Sequence, residues 1–255
     1  MRNLLSALLI VAFAATASGQ DMMRGLDLSS PDMTSAEMTR ADLEAAIAAA
    51  GSKPLDLTGK RLSGLDLSGL DLRGATLRAA RLNHSRLAGA KLDGANLDQV
   101  WALEADFANA HLVGATMFQA QLHKARFEGA DLTRARIAAD FRGADLAGAV
   151  LHDANGAADE KNQSMGLMRA SFMSANLERA DFSGADLSRA DLSFARAAGA
   201  DFRAAKLRVA DASGADLRGA RFEGVDANGL DLDSARIDAG AMFPGAVHAE
   251  RAHRE

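Results

Sequence analysis

Asp191, Asp211 and Asp231 stand twenty residues apart, with Asp233 beside the last of them. A structure that returns to the same face every twenty residues would stack these carboxylates in one column, about 5 Å from neighbour to neighbour. Like charges at that spacing in water cost on the order of 1 kcal/mol per pair. A divalent cation, a basic partner or flanking arginines would offset the cost, but the Gly-rich Asp nonapeptide of calcium-binding β-rolls is absent. The acidic column therefore reads first as a solvated face, and no metal site is assigned. His84, His111, His123 and His152 are scattered without a metal-ligand spacing, and His248 and His253 lie near the C-terminus. Serines and aspartates are plentiful, yet no nucleophile elbow, phosphate-binding loop or HExxH motif occurs. Neither catalysis nor a cofactor is expected. The remaining chemistry is binding by apolar contact. Trp101, Leu103, Val113, Phe118 and Phe194 occupy slots where polar residues are the rule, as a partner or self-association patch would. For Trp101 a second reading stays open, in which the indole packs under an inserted loop or turns inward beside the small Ala102.

What positions these residues is a five-residue period. In Ala180-Asp181-Phe182-Ser183-Gly184-Ala185-Asp186-Leu187, an Ala, a polar residue and a Leu or Phe return at every fifth place. With the large apolar residue taken as the centre of each unit, one run extends from Leu57 to Ile137, loses one residue, and resumes at Phe141, Leu146 and Leu151. A second run extends from Leu167 to Met242. Two residues before the centre Ala occupies 26 of 36 positions, and two residues after it Gly occupies 16 of 36. A place held almost always by Ala has room for one methyl group and must face a crowded interior. A place so rich in Gly is a tight turn where positive φ is useful. Neither a helix nor a two-residue strand alternation keeps both inner positions inward at this spacing, whereas a chain that turns a corner every five residues does.

The units Ala130-Asp131-Leu132, Ala175-Asn176-Leu177 and Ala215-Asp216-Leu217 resemble the pentapeptide-repeat family. The resemblance covers about residues 55 to 243. It implies an all-β solenoid, a right-handed quadrilateral β-helix in which four pentapeptides make one square coil. Departures are Lys60 at an inward place, Val100-Trp101-Ala102, and Leu55, Leu65 and Leu70 in place of Ala near the start. Twenty units and then sixteen predict about nine coils with the insertion between coils, a rod of roughly 40–45 Å at strand spacing. The expected segments are a signal peptide at 1–19, a flexible lead at 20–33, a capping helix at 34–51, a first run of coils at 52–152, a loop at 153–164, a second run at 165–245 and a C-terminal tail at 246–255. The helix rests on a Thr34/Glu37 capping box and on Leu43, Ile47 and Ala50 sharing a face. Met33, Met38 and Leu43 also sit five apart, so a degenerate repeat is the rival reading there.

Residues twenty apart become columns in this geometry. Asp66, Arg86, Asp106, Arg126 and Asp145 alternate in sign through the slip, as do Arg196, Asp216 and Arg236, and Asp186, Lys206 and Asp226. The net charge of −5 lacks the basic excess that nucleic-acid binding needs. Met1-Arg2-Asn3, the apolar run from Leu4 and the small residues near Ala17 read as a secretory leader, with a retained anchor as the alternative; about a dozen apolar residues fall short of a span. The absence of Cys excludes disulfides and a thiol-linked lipid anchor. The expectation is an exported, periplasmic or secreted scaffold without catalytic activity, not held in a membrane, that binds an unknown protein partner and is able to form a homodimer through the end near Phe243. The alternative is mimicry of duplex DNA toward a topoisomerase or another DNA-binding protein, which the resemblance implies for some family members. Residues 55 to 245 hold 26 acidic against 23 basic side chains, so a field of one sign is weak. Ice or carbohydrate binding lacks its Thr columns and aromatic platforms.

Overall fold

The structure is a computed structural model that describes residues 27–157 and 168–255. The leader, most of the lead segment, residues 158–164 of the expected loop and Leu167 lie outside the described residues. Within most units the carbonyl of the centre accepts the N–H three residues on, as from Lys60 to Leu57 at 3.1 Å. This closes a β-turn whose third residue has positive φ. Gly supplies it at Gly59 (φ 67°), but Ala79 (56°), Lys124 (55°) and Val209 (54°) adopt it too. A turn at every unit leaves the flanking N–H and C=O groups pointing along the axis, where the next coil takes them: Leu57 N–H donates to Thr76 O at 2.7 Å and Thr76 N–H to Leu55 O at 2.8 Å. Single parallel bridges thus replace long strands, running Asp56 to Thr76, Arg61 to Arg81, Asp66 to Arg86 and Asp71 to Lys91, one for each side of a square. The inward Leu, Phe and Ala residues form one continuous buried cluster.

An aromatic spine threads that cluster. Phe107 and Phe127 stack at 4.7 Å, Phe141 and Phe172 at 5.1 Å, and Phe182 and Phe202 at 5.3 Å, while edge contacts at 5.6 Å join each pair to the next. Such pairs add about 0.5–1.5 kcal/mol each beyond area burial.

The bridges also show how the irregularities are absorbed. At the one-residue slip Ala139 N–H donates to Ile137 O, two residues back, so a three-residue turn replaces a four-residue one and Gln121 pairs with Asp140. The insertion differs from the expectation. Asn155 pairs with both Arg136 and Asp186, Gly156 N–H donates to Asp186 O at 2.8 Å, and Ala170 N–H donates to Gly156 O at 2.9 Å. Residues 153–156 therefore belong to the stack, and the inserted segment interrupts a coil after its first side. Gly156 occupies a centre slot without a side chain, and that concealed the unit from the period.

The ends also differ from the reading of the sequence. Helices span Pro31–Thr34 (α1) and Arg40–Ala50 (α2). The capping box of α2 is Thr39 with Asp42, and Thr34 instead ends α1. Glu37 pairs with Arg61 O through its N–H and with Lys60 Nζ at 2.7 Å through its carboxylate, which draws Lys60 outward from its nominally inward place. Leu43 of α2 is fully buried in the common core. At the other end Met242, expected inside, is 79% exposed, whereas Phe243 is 8% exposed and meets Phe222 edge-on at 4.7 Å. Nor is 246–255 a free tail. Val247 pairs with Asp231, and His253–Arg254 (β2) pairs with Arg236–Ile237 (β1).

Candidate functional site

The most frequent outward residue, the Asp or Asn just before each centre, has a local task. Its Oδ1 accepts the N–H two residues on: Ser68 to Asp66 at 3.0 Å, Ala108 to Asp106 at 3.0 Å, Ser183 to Asp181 at 2.8 Å. The carboxylate or amide thus satisfies a turn N–H that the ladder leaves unpaired. The sequence places these residues in outward, alternately charged columns but does not show their turn caps. The same Asp columns carry the ion pairs: Arg86 meets Asp66 at 2.9 Å, and Arg236 meets Asp216 at 3.4 Å. The Arg86 guanidinium and the Ser68 donors hold the Asp66 carboxyl well below the usual carboxylate range.

The acidic column is in register as the period requires, with Asp191 paired to Asp211 and Asp211 to Asp231. Each Oδ1 is used by a turn. Asp191 accepts Ser193 N–H at 3.0 Å and Ser193 Oγ at 2.6 Å, and Asp211 accepts the same two groups of Ser213. Asp231 accepts Asp233 N–H at 3.0 Å and lies 2.9 Å from His248 Nδ1. Burial pushes Asp231 up, but the Asp233 N–H, His248 and Arg251 outweigh it and hold its pKa below the ordinary value. Internal donors therefore offset the like-charge repulsion. Among the described residues no group of three His, Cys, Asp or Glu side chains is arranged to hold a metal ion.

The apolar residues separate in space. Trp101 lies in the outward column Arg81, Trp101, Gln121, and Leu103 sits at the corner after it; both are half-buried, with Ala102 inside between them. Phe118 lies on the preceding corner of the next coil. Its ring is roofed by Arg136, whose Cζ stands 4.3 Å from the centroid, a cation–π contact. Val113 is at the far corner of Phe118's side of the square, where its N–H donates to Asp93 at 3.2 Å. Phe194 is 63% exposed on the corner that Leu103 shares, four rungs further along. Trp101 and Leu103 thus share one side of the square with Phe118 at its preceding corner a coil later, Val113 lies one side further back, and Phe194 lies four rungs further along.

A cluster not foreseen lies on the Trp101 side of the rod. Asp140, 2% exposed, follows Gln121 in the column. Its carboxylate receives the Arg142 guanidinium through Nε at 2.9 Å and Nη2 at 2.8 Å, and His123 Nε2 stands 2.7 Å away. Burial pushes the Asp140 pKa up, and hydrogen bonds from His123 and Arg142 more than reverse this and hold it low. The slip hides the cluster in the sequence, since it places Asp140 nineteen residues after Gln121 and not twenty.

A square β-solenoid whose outer polar residues mostly brace its own turns and rungs is a repeat scaffold. Pentapeptide repeats match in eight copies over residues 61–99, 104–137, 170–208 and 200–238, more than half of the chain, and the chain belongs to that family. Its fold is accordingly a right-handed quadrilateral β-helix. HetL, a pentapeptide repeat protein involved in heterocyst differentiation regulation in the cyanobacterium Nostoc sp. strain PCC 7120, is 28% identical, over 85% of this chain and 95% of its own, with a TM-score of 0.32. A trypsin-treated variant of QnrB1, a plasmid-mediated fluoroquinolone resistance protein, is similar in fold with a TM-score of 0.53 at 18% identity, over 76% of this chain and 84% of its own. A pentapeptide repeat protein of the Arabidopsis thaliana thylakoid lumen shares 22% identity over 68% of this chain and 69% of its own, with a TM-score of 0.17. No curated protein matches the chain.

Proposed function

We propose that this chain is a non-catalytic scaffold, exported to the periplasm or cell exterior, that binds another protein through the side of the rod bearing Trp101. The observation that carries the reading is the half-buried Trp101 and Leu103 flanking an inward Ala102, with Phe118 at the preceding corner of the next coil, on a surface otherwise given to turn caps and ion pairs. Large, partly desolvated aromatic and aliphatic groups of this kind are what interface hot spots use. Export rests on the leading segment from Met1 to Gly19. In this reading the rod has about nine coils, and α2 closes its N-terminal end through Leu43. The test is affinity capture from the native compartment with wild-type and Trp101→Ala rods of equal thermal stability. Loss of a partner from the variant is expected; an unchanged set of partners overturns the Trp101 surface.

A second reading is mimicry of duplex DNA, favoured by the in-line carboxylates of Asp191, Asp211 and Asp231. It is tested by competition for DNA binding to a purified topoisomerase, where Asp211→Asn would weaken the competition.

A further inference from the structure

Among the described residues, a concavity away from the ends of the rod adjoins the Asp140 cluster. Cavities near Leu55 and near Met242 lie where coil stacking stops, so the fold accounts for both. The third, of about 340 Å³, is lined by His123, Lys124, Arg142, Gly143, Met173 and Ser174. Its origin is legible in the stacking. Lys124, Gly143 and Ser174 hold the same turn position on successive rungs, and Gly143, with φ at 65°, has no side chain to fill the space between the other two. The Lys124 stem forms one wall, with its Cγ 3.5 Å from where a Gly143 Cβ would stand. Met173, 38% exposed, forms the other.

The charge around this hollow is fixed by Asp140. Its buried carboxylate orients the Arg142 guanidinium and stands 2.7 Å from His123 Nε2. Lys124 and Arg142 against Asp140 leave one net positive charge. A mainly hydrocarbon wall with a few converging polar groups, at the small end of the size range of ligand pockets, is the usual make-up of a small-molecule site.

We infer that this hollow binds a small aliphatic carboxylate, its chain against Met173 and the Lys124 and Arg142 stems and its carboxylate at Lys124 Nζ. The site lies on the Trp101 side of the rod, one rung beyond Leu103, and does not depend on the scaffold reading.

The test uses the mature full-length protein and sodium octanoate, with 1-octanol as the uncharged control, read by titration calorimetry and by amide chemical shifts. Saturable octanoate binding is expected, with shifts concentrated at His123, Gly143 and Ser174. Octanol should bind about tenfold more weakly, the scale of one lost charge-assisted contact. Lys124→Met should cost octanoate a similar factor. Gly143→Phe should abolish binding with the fold retained, since Phe194 already holds the same turn position at φ 57°. Absence of saturable binding, or octanoate binding that survives Gly143→Phe, overturns the site. Equal affinity for octanol, or no effect of Lys124→Met, overturns the carboxylate assignment.

Discussion

Gly156 offers the sharpest test of the register through the insertion. The five-residue period asks for Leu or Phe at this centre, so Gly156→Leu restores the consensus, and by burial alone would add about 1.5–3 kcal/mol. The structure predicts the opposite. A Cβ added to Gly156 would stand 2.8 Å from Ala170 Cβ, 3.2 Å from Leu187 Cδ2 and 3.3 Å from Ile137 Cγ1. All three lie inside the roughly 3.5–4.0 Å at which carbon atoms attract. A single methyl group already forces its neighbours apart, and three further carbons have no space to enter. Overpacking of this kind costs about 1–3 kcal/mol, occasionally more. We place Gly156→Leu at the upper end, about 3 kcal/mol, and Gly156→Ala near 1 kcal/mol, because Ala recovers about 0.4–1 kcal/mol of unfolded-chain entropy. For a chain of this size that is a fall in thermal midpoint of roughly 6–12 °C for Leu. Urea unfolding followed by circular dichroism reads the change as a lower midpoint at constant slope. A Gly156→Leu rod as stable as wild type would refute the reasoning, for it would show an open centre slot and hence a different pairing of Asn155 and Gly156.

Removal of the Asp140 carboxylate strips His123 and Arg142 of a buried counter-charge, so Asp140→Ala should cost about 3–5 kcal/mol in urea unfolding. The pKa of Asp140 is held below its unfolded value, so its contribution is present above the ordinary carboxylate pKa and fades as pH falls through the folded value. The stability gap between wild type and Asp140→Asn should therefore be flat from about pH 5 to 6 and shrink below about pH 4; a gap that widens on acidification contradicts the pairing. In the acidic column, Asp211→Ala should cost about 1 kcal/mol through the lost Ser213 cap. Asp211→Asn keeps an acceptor and removes a repulsive charge, so it should melt at or above wild type; a Tm drop equal to that of Ala would mean that the charge itself stabilises the column.

Much of this molecule is written in consecutive residues, because each turn is closed within five of them. Ala before the centre, Leu or Phe at it and Gly after it specify the square path, and the columns from Asp66 to Asp145 and from Asp191 to Asp231 follow from the period. What five residues do not contain is the axial neighbour. That Arg136 roofs Phe118, that Val113 faces another corner, and that His123 and Arg142 converge on Asp140 depend on which coil lies above, and a single slip or insertion shifts that alignment for every later rung. Gly156 and Phe243 show the same limit: a centre without a side chain, and one displaced by a residue, become visible only when the packed interior shows which atom fills each slot.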